Sequence, residues 1–172
     1  IIGNVISATF WLIVASLLSV KEYGEISYFV AIASLGICCV VGSPQALTVY
    51  STRHQKIIPT LLLLTLIFTV IGSLIAFLIV QRFEIITLIF SFIILDVSLT
   101  LLLGKKLYSK YSKFILTQKI LQFIIGISLS FSLGVNGVLI GIALANFSLI
   151  PIFYKELRYY KIDLSLLKPK KE

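Results

Sequence analysis

The fold is decided by one stretch: Ile57-Ile58-Pro59-Thr60-Leu61-Leu62-Leu63-Leu64-Thr65-Leu66-Ile67-Phe68-Thr69-Val70-Ile71-Gly72-Ser73-Leu74-Ile75-Ala76-Phe77-Leu78-Ile79-Val80. It carries no charge, and its length exceeds the ~20 residues a helix needs to cross ~30 Å of hydrocarbon. Pro59 falls in the first turn, where a missing N–H costs little. No strand-like alternation of apolar and polar residues appears, so a membrane β-barrel is disfavoured. Outward from this stretch lie polar connections at 51–56 and 81–84, and beyond them further apolar runs at 1–20, 26–50, 85–103, 114–133 and 138–154. The remaining connections are 21–25, 104–113 and 134–137. Hydrophobic residues form 59% of the 172-residue chain and charged residues only 13%. A soluble domain holds ~45–50% and ~25%. The sequence therefore predicts an all-α membrane protein, a six-transmembrane-helix bundle over residues 1–154. A basic cytoplasmic tail or linker follows at 155–172.

Charge placement predicts the orientation. Of 15 Lys and Arg, twelve fall on one side: Arg53 and Lys56, then Lys105, Lys106, Lys110 and Lys113, and six more from Lys155 onward. The other side has Lys21 and Arg82. Such asymmetry places the Lys/Arg-rich side in the cytoplasm, so both termini are expected there, in a multi-pass plasma-membrane protein. The net charge of +8 is then mostly topological. No basic module outside the membrane points to nucleic acid, whereas anionic lipid headgroups are natural partners of the tail. The chain opens on Ile1 inside an apolar run and contains no Met, which reads as a piece of a longer protein.

No catalytic, metal or cofactor constellation is legible. Cys38 and Cys39 are adjacent in an apolar run, and His54 stands alone beside Arg53 and Lys56. Small-residue ladders occur at Cys38-Gly42-Ala46, Gly126-Ser130-Gly134 and Gly137-Gly141-Ala145, where helices in lipid approach closely. The informative polar residues are those inside the spans. Asp96 lies ~12 Å from the cytoplasmic end of the fourth span and Lys119 ~8 Å into the fifth, at 1.5 Å per residue. A charge facing lipid is costly, so both are expected to face one hydrated groove, close enough to pair. Gln118 and Gln122 share the fifth span, and Asn4, Gln45 and Asn146 add polar groups to the first, second and sixth.

Several segments resemble the polysaccharide and O-antigen flippases of the multidrug, oligosaccharidyl-lipid and polysaccharide exporter superfamily. They are Gly3-Asn4, the run from Leu17 through Lys21-Glu22-Tyr23-Gly24-Glu25 to Phe29, Gly42-Ser43-Pro44-Gln45 running towards Arg53, and the Gly-rich stretch from Gly134 to Asn146. The resemblance implies the N-terminal half of a two-lobed flippase fold. It also implies alternating access and a lipid-linked oligosaccharide substrate moved for cell-surface polysaccharide synthesis. The partner would be the missing C-terminal half or another membrane protein. Candidate cavity residues on this reading are Asp96, Lys119, Gln122, Arg53, Asn4, Gln45 and Asn146. Two other readings stand beside it: a non-transporting subunit that packs against a partner through its small-residue faces, and a small multidrug-type exporter using Asp96.

Overall fold

The computed structural model of the protein describes residues 2–38, 58–151 and 154. Among these the structure is all helical, with five helices: α1 (Ile2–Leu17), α2 (Val20–Cys38), α3 (Ile58–Val80), α4 (Phe83–Gly104) and α5 (Tyr108–Phe147). Three of them, α3, α4 and α5, are long and apolar enough to cross a membrane, which marks the chain as membrane-associated.

Two of the expected connections are helical instead. Residues 21–25 belong to α2, because Ser19-Val20-Lys21-Glu22 is a capping box. The Ser19 N–H and Oγ–H donate to Glu22 Oε2 at 2.8 and 2.7 Å, and the Glu22 N–H is 3.4 Å from Ser19 Oγ. That reciprocal pairing satisfies donors a helix start would otherwise leave open. The break after α1 shrinks to Leu18 and Ser19. Likewise most of 104–113 is helical, and the α4–α5 connection is only Lys105–Leu107. It closes as a Schellman motif, with the Leu107 N–H on Leu102 O at 3.0 Å and the Lys106 N–H on Leu103 O at 2.9 Å. Lys106 takes the left-handed position at φ 57°, which glycine more often occupies.

The expected fifth and sixth spans form one helical run reversed at a single residue. Gly134 has φ 56° and ψ −128°, a conformation only glycine holds without strain, and it folds α5 into two antiparallel arms. The arms touch backbone to backbone, since a Cβ on Gly141 would lie 2.5 Å from Gly126 Cα. The second arm ends at Phe147, ahead of Pro151.

Helix α4 is the axle of the bundle, in contact with α2, α3 and α5, while α1 lies along α5. Its Ile85, Leu88, Ile89, Ile93, Val97 and Leu101 are all buried. Helix α3 has the opposite pattern to a soluble helix. Thr65, Thr69, Ser73 and Ala76 face inward, while Ile67, Ile71, Leu74, Ile75 and Leu78 are exposed. The hydroxyls are satisfied by their own helix: Thr65 donates to Leu61 O, Thr69 to Thr65 O and Ser73 to Val70 O. Small side chains inside and branched aliphatics outside suit a helix whose outer face meets lipid.

One end of the bundle is held by Arg82, in the two-residue α3–α4 turn. Its guanidinium donates to Glu25 of α2 at 2.5 Å and lies 5.3 Å from the centre of the Phe29 ring. At the same end Trp11 meets Tyr23 edge to face, joining α1 to α2.

The capping box gives a pH-dependent prediction. Glu22 lies ahead of the apolar part of α2, and the Ser19 side-chain and backbone donors hold its carboxyl below the usual glutamate range. Because the folded value is lowered, its stabilisation of the α2 start is complete above the ordinary glutamate value. It is lost as pH falls through the lowered one. In a carboxyl NMR titration, Ser19→Ala should move the Glu22 midpoint upward; an unmoved midpoint would refute the cap.

Candidate functional site

The bundle interior contains a chain of polar side chains drawn from three helical segments. Gln118 and Gln122 are one turn apart on the first arm of α5, hence on one face. Gln118 Nε2 donates to Gln122 Oε1 at 3.2 Å and to Asn146 Oδ1, on the second arm, at 2.8 Å. Asn146 Nδ2 donates across to Ser91 Oγ of α4 at 3.2 Å, and the Ser91 hydroxyl donates to Leu88 O at 2.8 Å. Ser91 and Asn146 are fully buried, and Gln118 and Gln122 nearly so. Buried amides cost free energy unless hydrogen-bonded, so the network fixes the two arms and α4 in one register.

Lys119 stands at the edge of this network. Its stem packs near Gly3 of α1, with Lys119 Cγ 4.0 Å from where a Gly3 Cβ would be. Its ammonium does not turn back towards the start of α5; Nζ is 3.5 Å from Gln122 Oε1, one turn deeper. Because α5 begins at Tyr108, Lys119 is ~16 Å along the helix, while it stays ~8 Å beyond the start of the apolar part at 114. A half-buried ammonium with one long hydrogen bond retains donors for a further acceptor.

The expected pairing of Asp96 with Lys119 is not formed. Asp96 is half-buried on α4, and the ion pair present among the described residues is Arg82–Glu25. Five residues separate Asp96 from Ser91, ~140° around α4 at 100° per residue, so Asp96 points away from the network. Matching depth was not enough; helix phase separates the two charges. Asn4 is exposed on α1 and is not among the hydrogen-bond partners of the amides. Gln45, Arg53 and His54 lie outside the described residues. Thus Lys119, Gln122 and Asn146 are brought together, while Asp96 and Asn4 are not.

Gln118, one of the polar residues the sequence singles out in the fifth span, and Ser91, which it does not, complete the network. The i,i+4 spacing of Gln118 and Gln122 is visible in the sequence, but the serine is not distinguishable there from a plain packing residue. Among the described residues no three His, Cys, Asp or Glu side chains gather as a metal site. The arrangement offers amide donors and acceptors plus one cation, chemistry suited to holding hydroxyl or anionic oxygen groups. Comparison with known proteins finds no match for the chain to a family model, a curated protein or a solved structure.

Proposed function

We propose that this chain is one half of a lipid-linked oligosaccharide flippase, a six-span lobe with both termini in the cytoplasm. The observation that carries this reading is Lys119: a half-buried ammonium within an apolar span, at the edge of the buried amides, with donors to spare. In a membrane interior such a group is costly unless it serves a substrate or ion path. Support also comes from the flippase-like segments and from the Lys/Arg asymmetry. The relative placement of helix ends agrees with the same topology, since Glu25 and Arg82, from two connections assigned to one side, meet at one end. Alternating access would rock this lobe against a second one.

The subunit reading rested on the Gly137-Gly141-Ala145 ladder. In the structure that ladder is buried, and its Gly137 and Gly141 are packed against the first arm of α5. The multidrug-type reading keeps one supporting observation: half-buried Asp96 has no ion-pair partner among the described residues.

The test is translocation of lipid-linked oligosaccharide in proteoliposomes holding the chain with its second lobe. Lys119→Gln should slow translocation about tenfold or more at unchanged abundance, the worth of one lost charge-assisted hydrogen bond. An unchanged rate overturns the role of Lys119. If Asp96→Asn abolishes efflux of lipophilic cations while oligosaccharide translocation is undetectable, the exporter reading replaces the flippase.

A further inference from the structure

At the Arg82 end of the bundle, a cleft of about 250 Å³ separates the start of α4 from the second arm of α5. It is lined by Phe83, Glu84, Thr87, Leu139, Ile140 and Ala143. All of this lining is apolar except the Glu84 carboxylate and the Thr87 hydroxyl one turn further on. The neighbouring cation, Arg82, is committed to Glu25 and the Phe29 ring. Glu84 itself is half-buried and has no ion-pair partner among the described residues. It sits in the first turn of α4, where the partial positive charge of a helix start suits an acidic side chain.

We propose that this cleft binds a phospholipid with a primary-amine headgroup, of the phosphatidylethanolamine type. The inference rests on α4 and α5 spanning a membrane, not on what is transported. Helix α4, at 22 residues, is ~33 Å long, so its first turn sits at the headgroup level of a ~30 Å core. From there Ile140 and Ala143, one turn apart on the second arm, continue the cleft towards the hydrocarbon. An ammonium at Glu84, hydrogen-bonded to the carboxylate and to Thr87, places the attached acyl chain along these residues. A primary ammonium donates up to three hydrogen bonds. A choline headgroup donates none, and a glycerol headgroup brings a net negative charge to a cleft that already holds one.

The test is native mass spectrometry of the full chain extracted from bilayers with equal phosphatidylethanolamine and phosphatidylcholine of identical acyl chains. The wild type should retain the amine lipid about threefold over the choline lipid, in keeping with a partly exposed ion pair. Glu84→Gln should bring the ratio to parity, and Glu22→Gln, which removes a charge from the start of α2 without freeing Arg82 and keeps the capping box, should leave it unchanged. Thr87→Phe, an exposed position that fills the cleft, should also abolish the preference with Glu84 intact. Equal retention by the wild type, or a preference surviving Glu84→Gln, overturns the proposal. So does a preference lost equally in Glu22→Gln, which would assign it to general surface charge. Lipid retention is read without translocation, so failure of the flippase reading leaves this result standing.

Discussion

Gly141→Ala is expected to destabilise the bundle by about 2 kcal/mol, although alanine is the better helix former. In an unobstructed helix the exchange would gain ~1 kcal/mol, because glycine loses more backbone freedom on folding. Here the new Cβ would lie 2.5 Å from Gly126 Cα and 2.8 Å from Gly126 N. Those are backbone atoms, which cannot rotate aside. The two arms of α5 must separate instead, and overpacking of this kind costs ~1–3 kcal/mol or more. Separation also spreads. Phe10 of α1 sits on the other side of Gly126, within 2.7 Å of where its Cβ would be, and the 2.8 Å bond from Gln118 to Asn146 crosses between the same arms. Steric cost therefore outweighs propensity. The internal controls are Gly24→Ala in α2 and Gly72→Ala in α3, where nothing lies within 4 Å of the added carbon. Both should be neutral or stabilising by up to ~1 kcal/mol. Unfolding in mixed micelles checks the ordering; a Gly141→Ala protein as stable as Gly72→Ala would rule out the close crossing.

The apolar spans were legible because lipid crossing demands length and hydrophobicity, and little else produces both. The expected third and fourth spans, 57–80 and 85–103, differ from α3 and α4 by no more than two residues at either end. The starts of α2 and α5 were misplaced for one reason: charged residues were read as the end of a helix, when they only mark the end of its apolar part. The Ser19-x-x-Glu22 signature was in the sequence and identifies the earlier start. The inward hydroxyl stripe of α3 was also there, at spacings of four, but large aliphatics dominate any average over that segment.

The polar site was half legible. Gln118, Gln122 and Asn146 are conspicuous in apolar spans, and the turn at Gly134 predicts that the last of them returns beside the others. Ser91 has no such signature. Depth alone placed Asp96 opposite Lys119; only the rotational phase of α4, set by how its Ile and Leu residues meet three other helices, turns Asp96 elsewhere.

That difference in phase can be measured. Asn146 is fully buried and serves two partners, accepting from Gln118 and donating to Ser91. Asn146→Leu leaves Gln118 with its remaining bond to Gln122 and strips Ser91 of a donor, in a site too enclosed for lipid to compensate. An orphaned buried polar group costs ~1–3 kcal/mol, while side-chain hydrogen bonds in membrane bundles average ~0.6 kcal/mol with a maximum of ~1.7. A loss of about 1.5 kcal/mol is expected. Replacing Gln118 by Leu as well removes the orphan, so the double variant should recover part of that loss and show a coupling energy near 1 kcal/mol. Asp96→Asn and Lys119→Gln give the opposite expectation. Their groups do not meet, so their effects on stability should add within ~0.5 kcal/mol. A coupling between 96 and 119 as large as that between 118 and 146 would mean that Asp96 turns into the network after all. The amide chain would then be only part of a larger charged site.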